Sequence, residues 1–176
     1  MAKTLPLKND RNRLVMAIAL LMLIPALPLP TGGITHVTEL IALILGFQLA
    51  IGKENVWLPK RLDSYLDKQL GDPKLNQRLQ AVINKLHSWA PDYTRQWGTR
   101  WNIALSGIMM ELFILAAFLA PPFSGLDTLP SLGALFLAVA ILVDNAWIAA
   151  AGFLLGIAGI VLEFLIARTL LHYIHL

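Results

Sequence analysis

Three apolar stretches, roughly 14–52, 102–121 and 129–167, dominate this chain and decide what it can fold into. A single polar segment, 53–101, separates the first from the other two. The second stretch and the end of the third each hold a run near the ~20 residues that an α-helix needs to cross a bilayer. Apolar residues make up 57% of the 176 and charged residues only 14%, against about a quarter in soluble domains. One water-facing domain of this size has no interior large enough to hide that excess. The sequence therefore predicts an all-α, polytopic membrane protein forming a single membrane domain over 1–176. With no cysteine in the chain, a disulfide scaffold, thiol catalysis, Cys-ligated zinc and iron–sulfur clusters are excluded.

Charge placement orients the spans. Lys3, Lys8, Arg11 and Arg13 stand ahead of the first apolar run against one acid, Asp10. The segment 53–101 carries nine Lys or Arg against five acids, a net +4, and beyond it Arg168 is the only cation of that kind. By the positive-inside rule the N-terminus and 53–101 both face the cytoplasm, which requires an even number of crossings between them. These cations flank apolar spans and no nucleic-acid module is visible, so the partner they imply is the lipid bilayer.

Along the chain, the basic start and the run from Leu14 have the look of a signal peptide. The run ends in Pro25-Ala26-Leu27-Pro28-Leu29-Pro30 without a cleavage pattern, so a retained helix over about 13–27 is expected. Thr31-Gly32-Gly33 then turns the chain, and a second apolar helix over 35–52 completes a proline-tipped hairpin that crosses twice or re-enters. Residues 57–70 and 73–90 have helical amphipathic spacing, with Asp72-Pro73 as a helix start. Two readings remain open for this pair: helices lying on the membrane surface, or helices packing on protein. Trp89, Tyr93, Trp97 and Trp101 mark the headgroup level before a span over 102–120. Pro121-Pro122-Phe123-Ser124-Gly125 breaks that span. A short apolar helix over 130–143, capped near Thr128, leads through Asp144-Asn145 to a last helix over 146–170.

The two halves echo one another. Pro28-Leu29-Pro30-Thr31-Gly32 matches Pro121-Pro122-Phe123-Ser124-Gly125 at an offset of 93, and Thr35 falls on Thr128. Asn55-Val56-Trp57-Leu58 matches Asn145-Ala146-Trp147-Ile148 at an offset of 90. A duplication follows: repeat one over about 13–90 (membrane hairpin 13–52, amphipathic helices 57–90) and repeat two over about 101–171. Four or five membrane helices are expected, with two surface helices.

Pro28-x-Pro30-x-Gly32, the Gln48, Gly52 and Trp57-Leu58-Pro59 spacing, Pro121-Pro122-Phe123 and Asp144 together resemble the ExoD family over about 13–170. These are small bacterial integral membrane proteins linked to exopolysaccharide synthesis. Thr31 and Asn145 stand where the family pattern usually has glycine. The resemblance implies the bacterial inner membrane and exopolysaccharide machinery as a partner, but no reaction.

Ionisable residues inside apolar spans are costly and are functional candidates. Glu111 lies mid-span on a helical face with Gly107. Glu163 shares a stripe with Gly152, Gly156 and Gly159, which contains a Gly-x-x-x-Gly motif permitting close helix approach. Each glutamate either handles protons or cations, or is a neutral carboxyl bonded to a neighbouring helix. His36 and Glu39 share a face just after the Gly32-Gly33 break, on the same helix as Gln48. They line a polar cavity at a broken helix, or they are ordinary helix-start chemistry. Asp127 and Asp144 read as helix caps. His172 and His175 lack a third ligand, and no metal site or cofactor is expected. No nucleophile elbow, phosphate loop, zinc-protease or sugar-transferase motif appears, so an enzyme is not expected.

The expectation is a small transporter or permeation protein whose polar cavity draws on His36, Glu39, Gln48, Glu111 and Glu163. Its helix breaks would lie at Pro28, Pro30, Gly32, Gly33, Pro121, Pro122, Gly125 and Asp144. Gly152, Gly156 and Gly159 are expected to pack helices and to support a homodimer. The alternative is a non-transporting accessory protein of exopolysaccharide assembly.

Overall fold

The computed structural model describes residues 10–28, 34–51, 57–70, 72, 77–78, 81–82, 85, 100–121 and 124–174. Among these the chain is helical throughout, with no strand. The elements are α1 (Asp10–Met22), α2 (Ile34–Ala50), α3 (Lys60–Leu70), α4 (Arg100–Leu119), α5 (Thr128–Val143) and α6 (Ala146–Ile174). The first helix starts three residues earlier than the apolar pattern predicts, since Asp10 can occupy the first turn favourably. Its regular part ends at Met22, and Leu23 to Leu27 continue as turns closed by Leu23 N–H to Ala19 and Ala26 N–H to Met22. The last helix runs four residues past its expected end. Most of the second amphipathic segment, 73–90, lies outside the described residues, as do Trp89, Tyr93 and Trp97.

Four helices close a ring: α1 packs on α2, α2 on α4, α4 on α5, and α5 back on α1. Neighbours run in opposite directions. Gly46 faces Glu111 and Gly107 faces Ala50, so α2 and α4 are antiparallel; Gly133 faces Gly156 and Pro130 faces Gly159, so α5 and α6 are too. The core is apolar and tight, with Leu14, Val15, Ala17, Ile18 and Met22 of α1 meeting Phe113, Ile114 and Leu137. α6 lies outside the ring, mainly against α5.

The glycine stripe of α6 is filled from within the chain. A Cβ on Gly152 would meet Leu137 at 3.0 Å, one on Gly159 would meet Pro130 at 2.5 Å, and one on Gly156 would overlap the Phe113 ring. The close helix packing predicted for this face is therefore present, but it joins α6 to α5 and α4. A second copy would have to pair through another face.

α3 turns its apolar stripe to protein. Leu66 is 1% exposed inside the same core, with Leu58 and Leu62 packed against it, while Lys60, Arg61 and Lys68 face outward. The inner stripe of this helix thus packs on protein. Arg13 fixes it further, reaching Asp63 and Asp67 at 2.5 and 2.8 Å.

Trp101–Leu119 and Ala146–Leu170 are long and apolar enough to cross a membrane. Only 22% of the α6 window is buried, which is the reverse of what the central helix of a soluble protein shows. Leu154, Ile157, Val161, Phe164 and Leu165 of α6 and Leu105, Ile108, Leu112, Leu115 and Leu119 of α4 are all exposed. Exposed apolar surface of that extent marks a face that meets lipid or another protein, and is consistent with a membrane protein. At one end, exposed Trp57, Trp101 and Trp147 lie at the starts of α3, α4 and α6.

Candidate functional site at the helix breaks

The polar residues of the apolar helices separate into two groups, one at the α1–α2 and α4–α5 breaks and one on the α2–α4 seam. In the first turns of α2, Thr38 donates to the Thr35 carbonyl at 2.8 Å and Thr35 is buried. One turn of helix then brings His36 Nδ1 to 2.8 Å from Glu39 Oε2. Glu39 is 0% exposed, and its other oxygen, Oε1, has no hydrogen-bond partner among the described residues. The His36 ring meets Phe118, in the last turn of α4, edge to face at 5.7 Å.

The second break supplies the rest. Ser124 Oγ donates to the Pro121 carbonyl at 2.6 Å and accepts from Leu126 N–H at 3.2 Å, while Gly125 takes a left-handed φ of +68°. This folds the loop back so that Asp127 enters α5 within electrostatic range of both His36 and Glu39. Glu163 of α6, one turn beyond the Gly159–Pro130 contact, senses Asp127 and Glu39 in turn. Glu163 Oε1 and Ser131 Oγ are also buried without a partner among the described residues. Burial raises the Asp127 carboxyl above its ordinary value, while the neighbouring His36 and two backbone donors oppose the shift.

Two further carboxylates, Asp127 and Glu163, thus lie within electrostatic range of the His36–Glu39 pair where two helices break. A His–Glu pair can share a proton, and further carboxylates beside it favour a proton or another cation over an anion. Among the described residues no group of three or more His, Asp or Glu is arranged to hold a metal ion.

Of the expected cavity residues, the structure brings together His36, Glu39 and Glu163. Gln48 and Glu111 lie elsewhere. Gln48 sits twelve residues along α2 from His36, about 18 Å by helix rise. Its amide is committed to backbone: Oε1 accepts from Trp57 N–H at 2.6 Å and Nε2 donates to the Trp57 carbonyl at 3.0 Å. That clamp ties Trp57, ahead of α3, to the end of α2, away from the His36–Glu39 pair. Glu111 faces Gly46, where Oε2 occupies the room a Cβ would take. Pro28 and Pro121 are exposed at the breaks. Pro30, Gly32, Gly33 and Pro122 lie outside the described residues. Asp144 is at the far end of α5, as its C-cap, with φ 56° and ψ 52°.

Asp127, read from the sequence as a cap, does stand at the N-cap position of α5; its electrostatic tie to His36 and Glu39 was not anticipated. Thr35 and Thr128, paired in the sequence comparison, stand near carboxylates at the starts of α2 and α5, although Glu39 and Asp127 do not align with each other. Phe118, Ser131 and Gly46 carried no such mark.

A family model described as "Exopolysaccharide synthesis, ExoD" matches residues 8–165. No curated protein and no solved structure matches.

Proposed function

The chain belongs to the ExoD family, which links it to exopolysaccharide synthesis, and from that premise we propose that it is a small permeation protein of the bacterial inner membrane. Its ion-sensitive centre is the cluster of His36, Glu39, Asp127 and Glu163. The observation that carries this reading is the buried Glu39 carboxyl, bonded to His36 through one oxygen and unpartnered at the other, among two further carboxylates. A buried carboxyl inside an apolar span is costly, and an exchangeable proton or cation is the partner proposed for its free oxygen.

The proposed topology puts Arg13, α3 and the three exposed tryptophans at the cytoplasmic face. α1 and α4 then run outward, α2 and α5 return, and α6 crosses outward to a C-terminus on the opposite side. α1, α2 and α5 have 13, 17 and 16 residues, about 20–25 Å of helix against a ~30 Å hydrocarbon core. Glu163, level with the breaks, is followed on α6 by four apolar residues to Ala167, about 6 Å more, before Arg168. The short helices therefore bring both breaks to the rim of the apolar depth, where irregular backbone is tolerated around a protein-lined polar site. Exchanging α1 and α2 with α4 and α5 leaves the ring of contacts unchanged, which supports a duplicated pair related by an axis along the membrane normal.

A second reading, a non-transporting accessory protein of exopolysaccharide assembly, is favoured by one observation: Glu39 is wholly inaccessible. Proteoliposomes separate the two. Permeation predicts H⁺, Na⁺ or K⁺ flux above empty liposomes that is altered in Glu39→Gln. Wild type and variant both matching empty liposomes, with and without a pH gradient, would leave the accessory reading.

A further inference from the structure

Glu111 belongs to neither the breaks nor the clamp. It is twelfth in α4, about 16 Å by helix rise from Arg100, at the middle of the span. Its Oε2 is buried and has no hydrogen-bond partner among the described residues. The carboxyl rests on Gly46 of α2, its Oε2 filling the room that a Cβ there would take. Beside it, on the outer surface of the α2–α4 seam, runs a groove of about 480 Å³ lined by Leu43, Ile44, Phe47, Gln48, Trp57 and Glu111. Phe47 and Trp57 are 59% and 54% exposed, and Ile44 is 47% exposed. The Gln48 amide is already spent on the Trp57 backbone. What remains to a ligand is one carboxylate, two aromatic rings and aliphatic walls.

We propose that this groove binds lipophilic organic cations, such as quaternary ammonium or phosphonium compounds, entering from the bilayer. The apolar walls take the hydrophobic substituents, the rings offer their negative faces, and Glu111 supplies the counter-charge. A diffuse cation buried in hydrocarbon loses little hydration compared with a metal ion or a primary ammonium, so a single carboxylate is enough to select it. Anions are repelled, and neutral lipids leave the carboxyl unmatched. The proposal does not rest on flux through the breaks. Gly46 lies seven residues from Glu39, about 10 Å along α2, and binding is read without transport.

Equilibrium dialysis of the purified full chain in nanodiscs with labelled tetraphenylphosphonium tests it, with tetraphenylborate as the same shape of opposite charge. Saturable binding of the cation and none of the borate is expected. Glu111→Gln should weaken binding about tenfold or more, with unfolding temperature measured alongside. Phe47→Ala, at an exposed ring, should keep the fold and weaken binding about threefold or more. Absence of saturable wild-type binding overturns the proposal, as does equal uptake of the borate. So does binding unchanged in Phe47→Ala, whatever the folding of Glu111→Gln.

Discussion

Gly133 and Gly156 meet backbone to backbone: a Cβ on Gly133 would lie 2.5 Å from the Gly156 Cα and 2.6 Å from its nitrogen. No rotamer can relieve a clash with main chain, so Gly133→Ala must push α6 off α5. A loss of about 2–3 kcal/mol is expected, at the upper end for overpacking. Gly125→Ala meets open space and suffers only the left-handed φ, about 1 kcal/mol. Unfolding of both variants in the same detergent gives the order; equal losses would mean that the helices part easily.

The α5–α6 turn consists of two caps in succession. Asp144 closes α5 in the left-handed region with its N–H donated to the Ala140 carbonyl, and Asn145 Oδ1 accepts from Trp147 N–H at 2.8 Å to start α6. Asp144→Gly should stabilise by up to about 1 kcal/mol, and Asp144→Val should destabilise by about 1–2 kcal/mol. Asn145→Ala should cost about 1 kcal/mol through the lost cap. Thermal unfolding of the three variants checks the signs; a stabilising valine would contradict the backbone assignment.

Helix positions were legible because Pro28, Pro121 and Asp144-Asn145 punctuate apolar runs, and the His36–Glu39 pair was legible because it is local, three residues apart. Partners set by tertiary register were not. Glu163 comes within electrostatic range of Asp127 and Glu39 only because Gly133 and Gly156 fix how far α6 slides on α5. Glu111 was visible as a costly carboxyl, but its seat is the side chain that Gly46 lacks, and an absent group leaves no periodic signal. Gln48 shared a helix with His36 and so was grouped with it, although its amide is matched to the Trp57 backbone nine residues on.

Asp127 gives stability a pH dependence of known sign. Its folded pKa is raised by burial, so the folded chain holds the proton more tightly than the unfolded one. The stabilisation is complete below the unfolded value of about 3.9 and is lost as pH rises through the folded pKa. Asp127→Asn, which keeps a side-chain acceptor for the two backbone donors, should flatten that slope and raise the unfolding temperature toward neutral pH. Melting curves of wild type and variant that run parallel from pH 4 to 7 (roughly the carboxylate window) would refute the assignment.

Three contacts hold α3 to the bundle, and their magnitudes rank. Arg13 spans to Asp63 and Asp67, but the two acids keep 45% and 61% of their side-chain surface, so water and salt screen the pair. Arg13→Ala should cost about 0–1 kcal/mol, less at high ionic strength. Gln48 is 6% exposed and satisfies both the N–H and the carbonyl of Trp57, so Gln48→Ala leaves two backbone groups short of partners. About 1–3 kcal/mol is expected there, insensitive to salt. Leu66, at 1% exposure, is the only side chain of α3 wholly inside the core among the described residues, and Leu66→Ala removes it at a cost of about 2–5 kcal/mol. Hydrogen exchange over 60–70 reads all three as protection of one helix. If Arg13→Ala opened α3 more than Leu66→Ala did, the helix would be held by charge and its buried stripe would be incidental.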